Sequence, residues 1–173
     1  MIKIKTFSNP YTFQDAETIL LDCDAKVKII KMESVYYPYK NMRYSLTLPG
    51  KLAKLDKEIN CIVDLVYGRP AVGQGMPGFV EKEIEESAAM DGTLSQEELY
   101  RISYDFVFKL FLNRAKILKA PKITVLEEYL FYKMFYIVQC RDEEEQDYFV
   151  LVDSIEGIIT ILDWKAKQDE SIK

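Results

Sequence analysis

The amino-acid sequence predicts an α+β fold, in which antiparallel meander sheets pack against helices. Three observations support this class: several stretches alternate apolar and polar residues with period two, two amphipathic segments open on helix-capping motifs, and no alternating βαβ pattern is present. Apolar residues make up 49% of the 173 residues, which is ample for a packed core.

One pattern occurs twice: an aromatic strand, a charged connection, an apolar strand and then Asp-x-x-x-Gly. The matched residues are Asp64 with Asp153, Gly68 with Gly157, and Tyr39-Lys40 with Tyr132-Lys133. We expect an internal duplication of a helix-plus-hairpin unit. Its N-terminal half would be 1–78 and its C-terminal half 79–173, fused into one domain. The alternative is a chance likeness between two aromatic hairpins.

The first half begins with a short alternating strand over residues 1–7. Thr12 and Asp15 then predict the start of an amphipathic helix that ends near Cys23. Residues 41–48 alternate cleanly, as in a half-buried antiparallel strand. A lysine-rich hairpin tip at 51–58 and a return strand at 59–67 complete this half.

The segment 68–78 combines four Gly and two Pro, and we expect it to connect the halves. It contains Gly73-Gln-Gly-Met-Pro-Gly78, which matches the dinucleotide motif G-x-G-x-x-G. That motif needs a helix whose N-terminus is free for phosphate. Pro77 within the motif, and the acidic residues Glu81 and Glu83 after it, favour a plain linker instead.

Two helices are predicted next, as an αα element over 79–118. The first is acidic and covers 81–90. Ser95 and Glu98 form a capping-box pattern that opens the second, over 96–118. A stripe through Ile102, Phe106 and Leu110, widened by other apolar residues, makes this helix apolar on most sides. It is either buried or presents a second face to a partner.

The segment 91–98 also resembles the second half of an EF-hand calcium loop. Ser87 and Ala89 occupy positions where that loop has aspartates, so most of the affinity for calcium would be lost. A turn into a capped helix explains the same residues, and we predict neither a metal site nor a cofactor.

The last segments form the second hairpin, apolar on both faces, and its acidic tip at 141–147. Strands at 148–152 and 158–162 follow. Asp64 and Asp153, which end the apolar strand of each copy, are expected to bond their local turns. Two converging catalytic carboxylates at these positions would be the alternative.

Charge and composition narrow the function. The net charge of −5 argues against binding double-stranded nucleic acid, and no apolar run is long enough to span a bilayer. The absence of His removes Ser–His and Cys–His catalytic pairs. Three widely spaced cysteines, Cys23, Cys61 and Cys140, indicate reduced, mostly buried thiols in a reducing cytosol.

These observations predict a non-catalytic cytosolic protein-interaction module: an adaptor, inhibitor, immunity or accessory protein. Its partner would be another protein or a second copy of itself. Aromatic and charged side chains are the expected contacts: Tyr36, Tyr37, Tyr39, Arg43, Glu143, Glu144 and Glu145. The alternatives are a small-ligand-binding domain with an aromatic pocket between helix and sheet, single-stranded nucleic acid stacked on the tyrosines, and a His-free carboxylate enzyme.

Overall fold

A computed structural model describes residues 1–8, 10–47, 57–73, 78–115 and 121–162, the side chains of 113–115 excepted. This part of the chain holds two α-helices, a short 3-10 helix and eight strands in one sheet. The α+β class is confirmed. The sheet is mixed, however, and β-strands that are distant in the sequence lie side by side in it, so the predicted antiparallel meander is not confirmed.

The helices are α1 (Phe13–Cys23) and α2 (Gln96–Ala115), and the 3-10 helix is Glu86–Ala88. The strands are β1 (Ile2–Phe7), β2 (Lys28–Thr47), β3 (Lys57–Asp64), β4 (Pro70–Val72), β5 (Phe79–Ile84), β6 (Lys122–Arg141), β7 (Asp147–Asp153) and β8 (Ile159–Leu162). The hydrogen-bonded order is β4-β3-β2-β6-β1-β5, with β7 joined to β6 and β8 to β7.

Two compact units divide the chain. The first unit consists of Met1–Tyr37, Phe79–Met90 and Lys133–Lys173, and the second of Pro38–Gly78 and Asp91–Tyr132. Strands β2 and β6 therefore each contribute one part to each unit. The chain enters each unit more than once, whereas the predicted halves are continuous stretches.

The core of the second unit forms between α2 and the strands β2 and β3. Its fully or almost fully buried members are Met42, Tyr44, Leu46, Cys61, Val63, Leu99, Val107 and Phe111. The three β2 residues alternate along the strand, so they share one face, as the sequence predicts. The core therefore depends on the strand alternation and on one face of α2.

The buried line of α2 differs from the predicted stripe through Ile102, Phe106 and Leu110, which are only half-buried. Ser103 lies at its centre and is fully buried. Its hydroxyl is 2.6 Å from the Tyr44 hydroxyl and donates to the Leu99 carbonyl at 2.8 Å. These bonds satisfy a polar group in the core, which the apolar pattern cannot show.

The first unit buries Ala16 and Leu20 of α1. The capping box predicted for this helix is confirmed: the Asp15 N–H donates to Thr12 Oγ1 at 3.2 Å, and the Thr12 N–H donates to Asp15 Oδ2 at 2.7 Å. Further buried residues of this unit come from the strands: Ile4, Phe7, Tyr36, Ile84, Met134, Tyr136, Val138, Cys140, Val150 and Val152.

The predicted helix over 81–90, and with it the αα element, is wrong. Residues 79–84 form β5, which pairs antiparallel with β1, and only the 3-10 helix follows. Lys5 stands opposite Glu81 and Lys3 opposite Glu83, so opposite charges pair across the strands. The Phe7 and Phe79 rings stack 4.9 Å apart. These long-range contacts outweigh the helix propensity of the glutamates.

The segment 68–78 is not only a connection, because it contains β4, which pairs antiparallel with β3. Its residues 74–77 lie outside the described part of the chain. The same is true of the predicted hairpin tip at 51–56, the predicted end of the second helix at 116–118 and the tail after Trp164.

The turn after β3 is closed by the side chain of Asp64. Its Oδ1 accepts the N–H of Val66 at 2.8 Å and of Tyr67 at 3.0 Å. The Gly68 N–H donates to the Asp64 carbonyl at 3.0 Å, and Gly68 has φ +68°, which favours glycine. The turn role predicted for Asp-x-x-x-Gly is confirmed here.

The turn after β7 has the same bonds. Asp153 Oδ1 accepts the N–H of Ile155 at 2.8 Å and of Glu156 at 3.1 Å. Gly157 has φ +67°, and its N–H donates to the Asp153 carbonyl at 2.9 Å. The prediction is confirmed at this turn as well.

The strand registers correct one detail of the predicted match. Tyr39 lies opposite Asp64, and Phe135 lies opposite Asp153. Tyr39 and Phe135 therefore occupy equivalent positions in their hairpins. The predicted equivalent of Tyr39 was Tyr132, three residues earlier in β6. The error arises because two aromatic strands with several tyrosines can be aligned in more than one register.

Candidate functional site

Helix α2 is fixed at its start by a capping box. The Ser95 N–H donates to Glu98 Oε2 at 3.0 Å, and the Glu98 N–H donates to Ser95 Oγ at 3.3 Å. The bonds from Ser95 lower the pKa of the Glu98 carboxyl, since they stabilise its charged form. The predicted capping box is confirmed, and it sets which face of α2 points to solvent.

That outer face carries four exposed charged residues, Glu97, Arg101, Asp105 and Lys109. They follow one another at a spacing of four and alternate in sign. Neighbours at this spacing are adjacent on a helix surface, so they form one ridge. Within the described residues none of the four forms a salt bridge.

A second ridge of apolar residues runs beside the first. Tyr104 is 44% exposed and Leu112 36%, and the half-buried Phe108 stacks on Tyr104 at 6.3 Å between ring centroids. The two ridges lie within about 140° of the helix circumference. We call these seven residues the α2 stripe: Glu97, Arg101, Tyr104, Asp105, Phe108, Lys109 and Leu112.

A cleft of about 340 Å³ opens in the second unit between α2 and the strands β2 and β6. Its lining residues are Tyr44, Tyr100, Arg101, Tyr104, Asp105, Ile123 and Val125. The Tyr100 hydroxyl donates to Glu128 Oε2 at 2.6 Å, and this bond, together with nearby Lys40, lowers the pKa of the Glu128 carboxyl. The cleft and the α2 stripe share three residues.

Two of the predicted partner-binding tyrosines belong to the first unit. Tyr36 is only 3% exposed, and its hydroxyl accepts a hydrogen bond from Lys82 Nζ at 2.7 Å. Tyr37 is half-buried, and its ring meets that of Phe135 edge-on at 6.1 Å. Both rings therefore serve contacts inside their unit.

Tyr39 and Arg43 belong to the second unit and are half-buried. The Tyr39 ring stacks on Phe131 at 5.6 Å. The Arg43 guanidinium reaches Glu58 and Glu127, each at 3.2 Å. Arg43 is thus held in a charge network along the strands.

The predicted acidic tip lies between β6 and β7 and is exposed. Glu143 pairs with Lys26 at 2.9 Å, and Glu145 pairs with Lys28 at 3.0 Å. Glu144 is the third acid of the set. Two of the three carboxylates of this set therefore already form salt bridges with lysines of the first unit. The assignment of all seven predicted residues to partner binding stays a prediction.

The two candidate catalytic carboxylates lie in different units, and each serves its own turn. Asp153 is 7% exposed, and its Oδ2 is 2.5 Å from Lys133 Nζ. Asp64 is half-buried. Hydrogen bonds to their turns account for the position of both carboxyl groups.

The dinucleotide motif lacks the helix that it needs, because the strand β5 follows it.

In the partial EF-hand match, Glu98 is bonded to Ser95, and Thr93 Oγ1 donates to the Val66 carbonyl at 2.8 Å. Among the described residues there is no cluster of three or more His, Cys, Asp or Glu that could hold a metal ion.

The cysteines are all unpaired thiols. Cys61 and Cys140 are buried, as predicted, and Cys23 is exposed. Burial raises the pKa of the Cys61 thiol to about 12, so it stays protonated and unreactive at neutral pH.

Sequence reasoning missed the alternating charges of α2. The signal was present, because four charged residues of alternating sign occur at a regular spacing of four.

Comparison with known proteins finds no matching family model, no similar curated protein and no similar solved structure. Neither described α-helix is long and apolar enough to cross a membrane.

Proposed function

We propose that this chain is a non-catalytic, cytosolic protein-interaction module that binds through the α2 stripe, and that its partner there is a second copy of the chain. The observation that carries the proposal is the alternating, unpaired charge ridge beside exposed aromatic and aliphatic side chains. Apolar area rimmed by charges is typical of partner sites.

The charge order of the ridge is self-complementary. Along α2 it runs negative, positive, negative, positive from Glu97 to Lys109. In an antiparallel pair of helices, Glu97 would face Lys109 of the second copy, and Arg101 would face its Asp105. All four positions then meet an opposite charge, which is the arrangement that fixes register between helices.

One member of the apolar ridge, Tyr104, fits the same arrangement. The midpoint of the charge array is residue 103, so Tyr104 lies close to the two-fold axis and would meet its own copy. Because α2 has 20 residues, it offers a contact about 30 Å long.

Association should be modest in strength, since exposed ion pairs contribute little individually. We expect a dissociation constant on the order of 10–100 μM. Sedimentation equilibrium should show a mass that rises with concentration from the monomer value of 20.2 kDa toward twice that value.

Charge reversal tests the register. An acidic variant, Arg101→Glu with Lys109→Glu, and a basic variant, Glu97→Lys with Asp105→Lys, should each remain monomeric. Mixed together, they should form a heterodimer, because every facing pair is again opposite in sign. All four positions are exposed, so circular dichroism should show unchanged folding.

The control is Lys3→Glu with Lys31→Glu, which changes the net charge as the acidic variant does but at the first unit, where it also removes the ion pairs with Glu81 and Glu33. It should dimerise like the wild-type chain. A wild-type chain that stays monomeric throughout, a mixture that does not associate, or a control that also loses the dimer would each overturn the proposal.

A second candidate function, small-ligand binding, is favoured by the cleft beside Tyr44, Tyr100 and Tyr104. Its volume of about 340 Å³ lies at the lower end of the range for ligand pockets. Native mass spectrometry of the freshly purified chain should then show a bound small molecule that Tyr104→Ala releases. Retention of that molecule by Tyr104→Ala would exclude this cleft.

We also propose that the two units descend from one duplicated helix-plus-hairpin element. The matched turns support this, and so do the helix starts: the Leu94 N–H donates to the Leu65 carbonyl at 3.2 Å, and the Tyr11 N–H donates to the Ser154 carbonyl at 2.6 Å. Each helix then opens on a capping box. The substitutions Gly68→Ala and Gly157→Ala, which act on the shared backbone path, should then have matched effects.

A further inference from the structure

The edge strand β5 carries a lysine, Lys82, whose side chain is exposed. Lys82 lies opposite Ile4, and Val80 lies opposite Thr6. Directly opposite residues share a face of the sheet. On this face Ile4, Thr6 and Ile84 are at most 5% exposed. Lys82 itself is exposed, as is Val80, so its ammonium group is accessible to a ligand at the edge of this buried row.

The ammonium group of Lys82 has a neutral partner. Its Nζ donates to the hydroxyl of Tyr36, which is 97% buried, at 2.7 Å. Nζ is also 5.4 Å from the centre of the Tyr36 ring. With the phenol oxygen between them, the ammonium lies at the edge of the ring, so the contact is a hydrogen bond and not a cation–π interaction. No described carboxylate forms a salt bridge with Lys82.

The neighbouring acids do not supply the missing countercharge. Glu81 and Glu83 alternate with Lys82 along β5, so they point to the opposite face of the sheet. Glu81 pairs there with Lys3 at 2.5 Å. The Lys82 side chain thus lies on the other face of the sheet from both acids.

That face opens into a cleft of about 260 Å³, lined by residues of the first unit alone. Lys82 and Tyr36 form its polar end. Its apolar walls include Phe7, Val80 and Met134. The volume is just below the range of drug-sized ligand pockets, so only a small ligand would fit.

We propose that this cleft binds a small carboxylate with a short apolar or aromatic tail. The ammonium of Lys82 has two further N–H groups, and the Tyr36 hydroxyl, which accepts from Lys82, keeps its own O–H to donate. One carboxylate could accept from both groups, and charge-assisted bonds of this kind are the stronger ones. The tail would cover Phe7, Val80 and Met134. The site does not involve the α2 stripe.

Titration of the ¹⁵N-labelled full chain with sodium benzoate, at constant ionic strength, tests the site. Backbone resonances of Phe7, Val80 and Lys82 should shift and saturate, with a dissociation constant on the order of 1 mM. Benzamide has the same shape without the charge and should bind at least about tenfold more weakly.

Two variants identify the polar end. Lys82→Met keeps the stem and removes the charge, and it should weaken benzoate binding about tenfold. Tyr36→Phe removes one donor and should weaken it about threefold. The matched control, Lys3→Met on the neighbouring strand, should bind like the wild-type chain.

Three results would overturn the site: no saturable shift at these residues, equal binding of benzamide and benzoate, or equal binding by Lys82→Met and the wild-type chain. Thermal melting of each variant should stay close to that of the wild-type chain. If Lys82→Met does not fold, comparing benzoate with benzamide on the wild-type chain still decides the question.

Discussion

The turns at Asp64 and Asp153 have the same backbone path but different surroundings. In both, an aspartate accepts two N–H groups and a glycine closes the turn with positive φ. In the turn of the first unit, Lys133 forms an ion pair with the aspartate. At the matching position of β2, two residues before Tyr39, the chain has Tyr37. The backbone requirement is thus common to both turns, whereas Lys133 has no lysine at the matching position of β2.

The largest expected difference follows from that ion pair. Asp153→Asn keeps an oxygen for the turn but leaves Lys133, whose side chain is 18% exposed, with only the more distant Glu156 at 3.9 Å as a charge partner. We expect a loss of roughly 2–4 kcal/mol in the free energy of unfolding, and a smaller loss for Asp64→Asn, because Asp64 is only half-buried. Urea unfolding monitored by circular dichroism measures both.

A double-mutant cycle sharpens this result. Lys133→Met in the Asp153→Asn background should recover part of the loss, since it removes a charge that has lost its nearer partner. Equal losses for Asp153→Asn and Asp64→Asn would show that the ion pair does not distinguish the two turns.

The two glycines should respond alike. Gly68→Ala and Gly157→Ala both place a side chain at positive φ, which costs about 1–2 kcal/mol. The added Cβ would lie 3.0 Å from Ile102 in one turn and 3.2 Å from Ile19 in the other, so both must also displace a flexible side-chain end. Unfolding free energies that differ by more than about 1 kcal/mol between the two variants would argue against equivalent turns.

The two units also differ in residue type at the strand position five residues after Tyr39 and Phe135. It is Tyr44 in the second unit and Cys140 in the first, and both are buried. Tyr44→Phe removes the bond to Ser103 and should cost about 1 kcal/mol. Thermal unfolding of the wild-type chain and of Tyr44→Phe measures this loss of stability.

The pH dependence of Tyr44→Phe has a defined sign. Burial raises the pKa of the Tyr44 hydroxyl above its usual value of 10.0. The stabilisation is therefore complete below pH 10 and declines above it, as the unfolded chain ionises first. A difference between the two chains that grows above pH 10 would contradict this.

The smallest expected effect compares the two helix caps in acid. Hydrogen bonds from Thr12 and from Ser95 lower the pKa of the Asp15 and Glu98 carboxyls. Their stabilisation is present above the ordinary values of 3.8 and 4.5 and is lost as the pH falls below them. Asp15→Asn and Glu98→Gln should each flatten the acid limb of the melting temperature against pH, and an unchanged limb would refute this.

The sequence predicted what local chemistry decides. Both capping boxes, the alternation of Met42, Tyr44 and Leu46, and the two Asp-x-x-x-Gly turns need only neighbouring residues, and the structure has all of them. Such features depend on spacing along the chain, which the sequence shows directly.

Prediction from the sequence failed where the structure depends on contacts between residues that are distant along the chain. Residues 79–84 resemble a helix until Lys3, Lys5 and Phe7 of β1 are placed opposite them. The cleft near Lys82 needs Tyr36 and Met134, which are far away in the sequence. The charge ridge of α2 was visible in the sequence, but only the exposure of its residues shows that it faces solvent.

The interleaving of the two units has a consequence for synthesis on the ribosome. The second unit is complete once Tyr132 has emerged, whereas the first needs Lys133 and the residues after it. Residues 1–37 must therefore wait, exposed, while later residues are translated at roughly 5–20 per second. A nascent chain stalled shortly after Tyr132 should protect its middle from protease before its beginning.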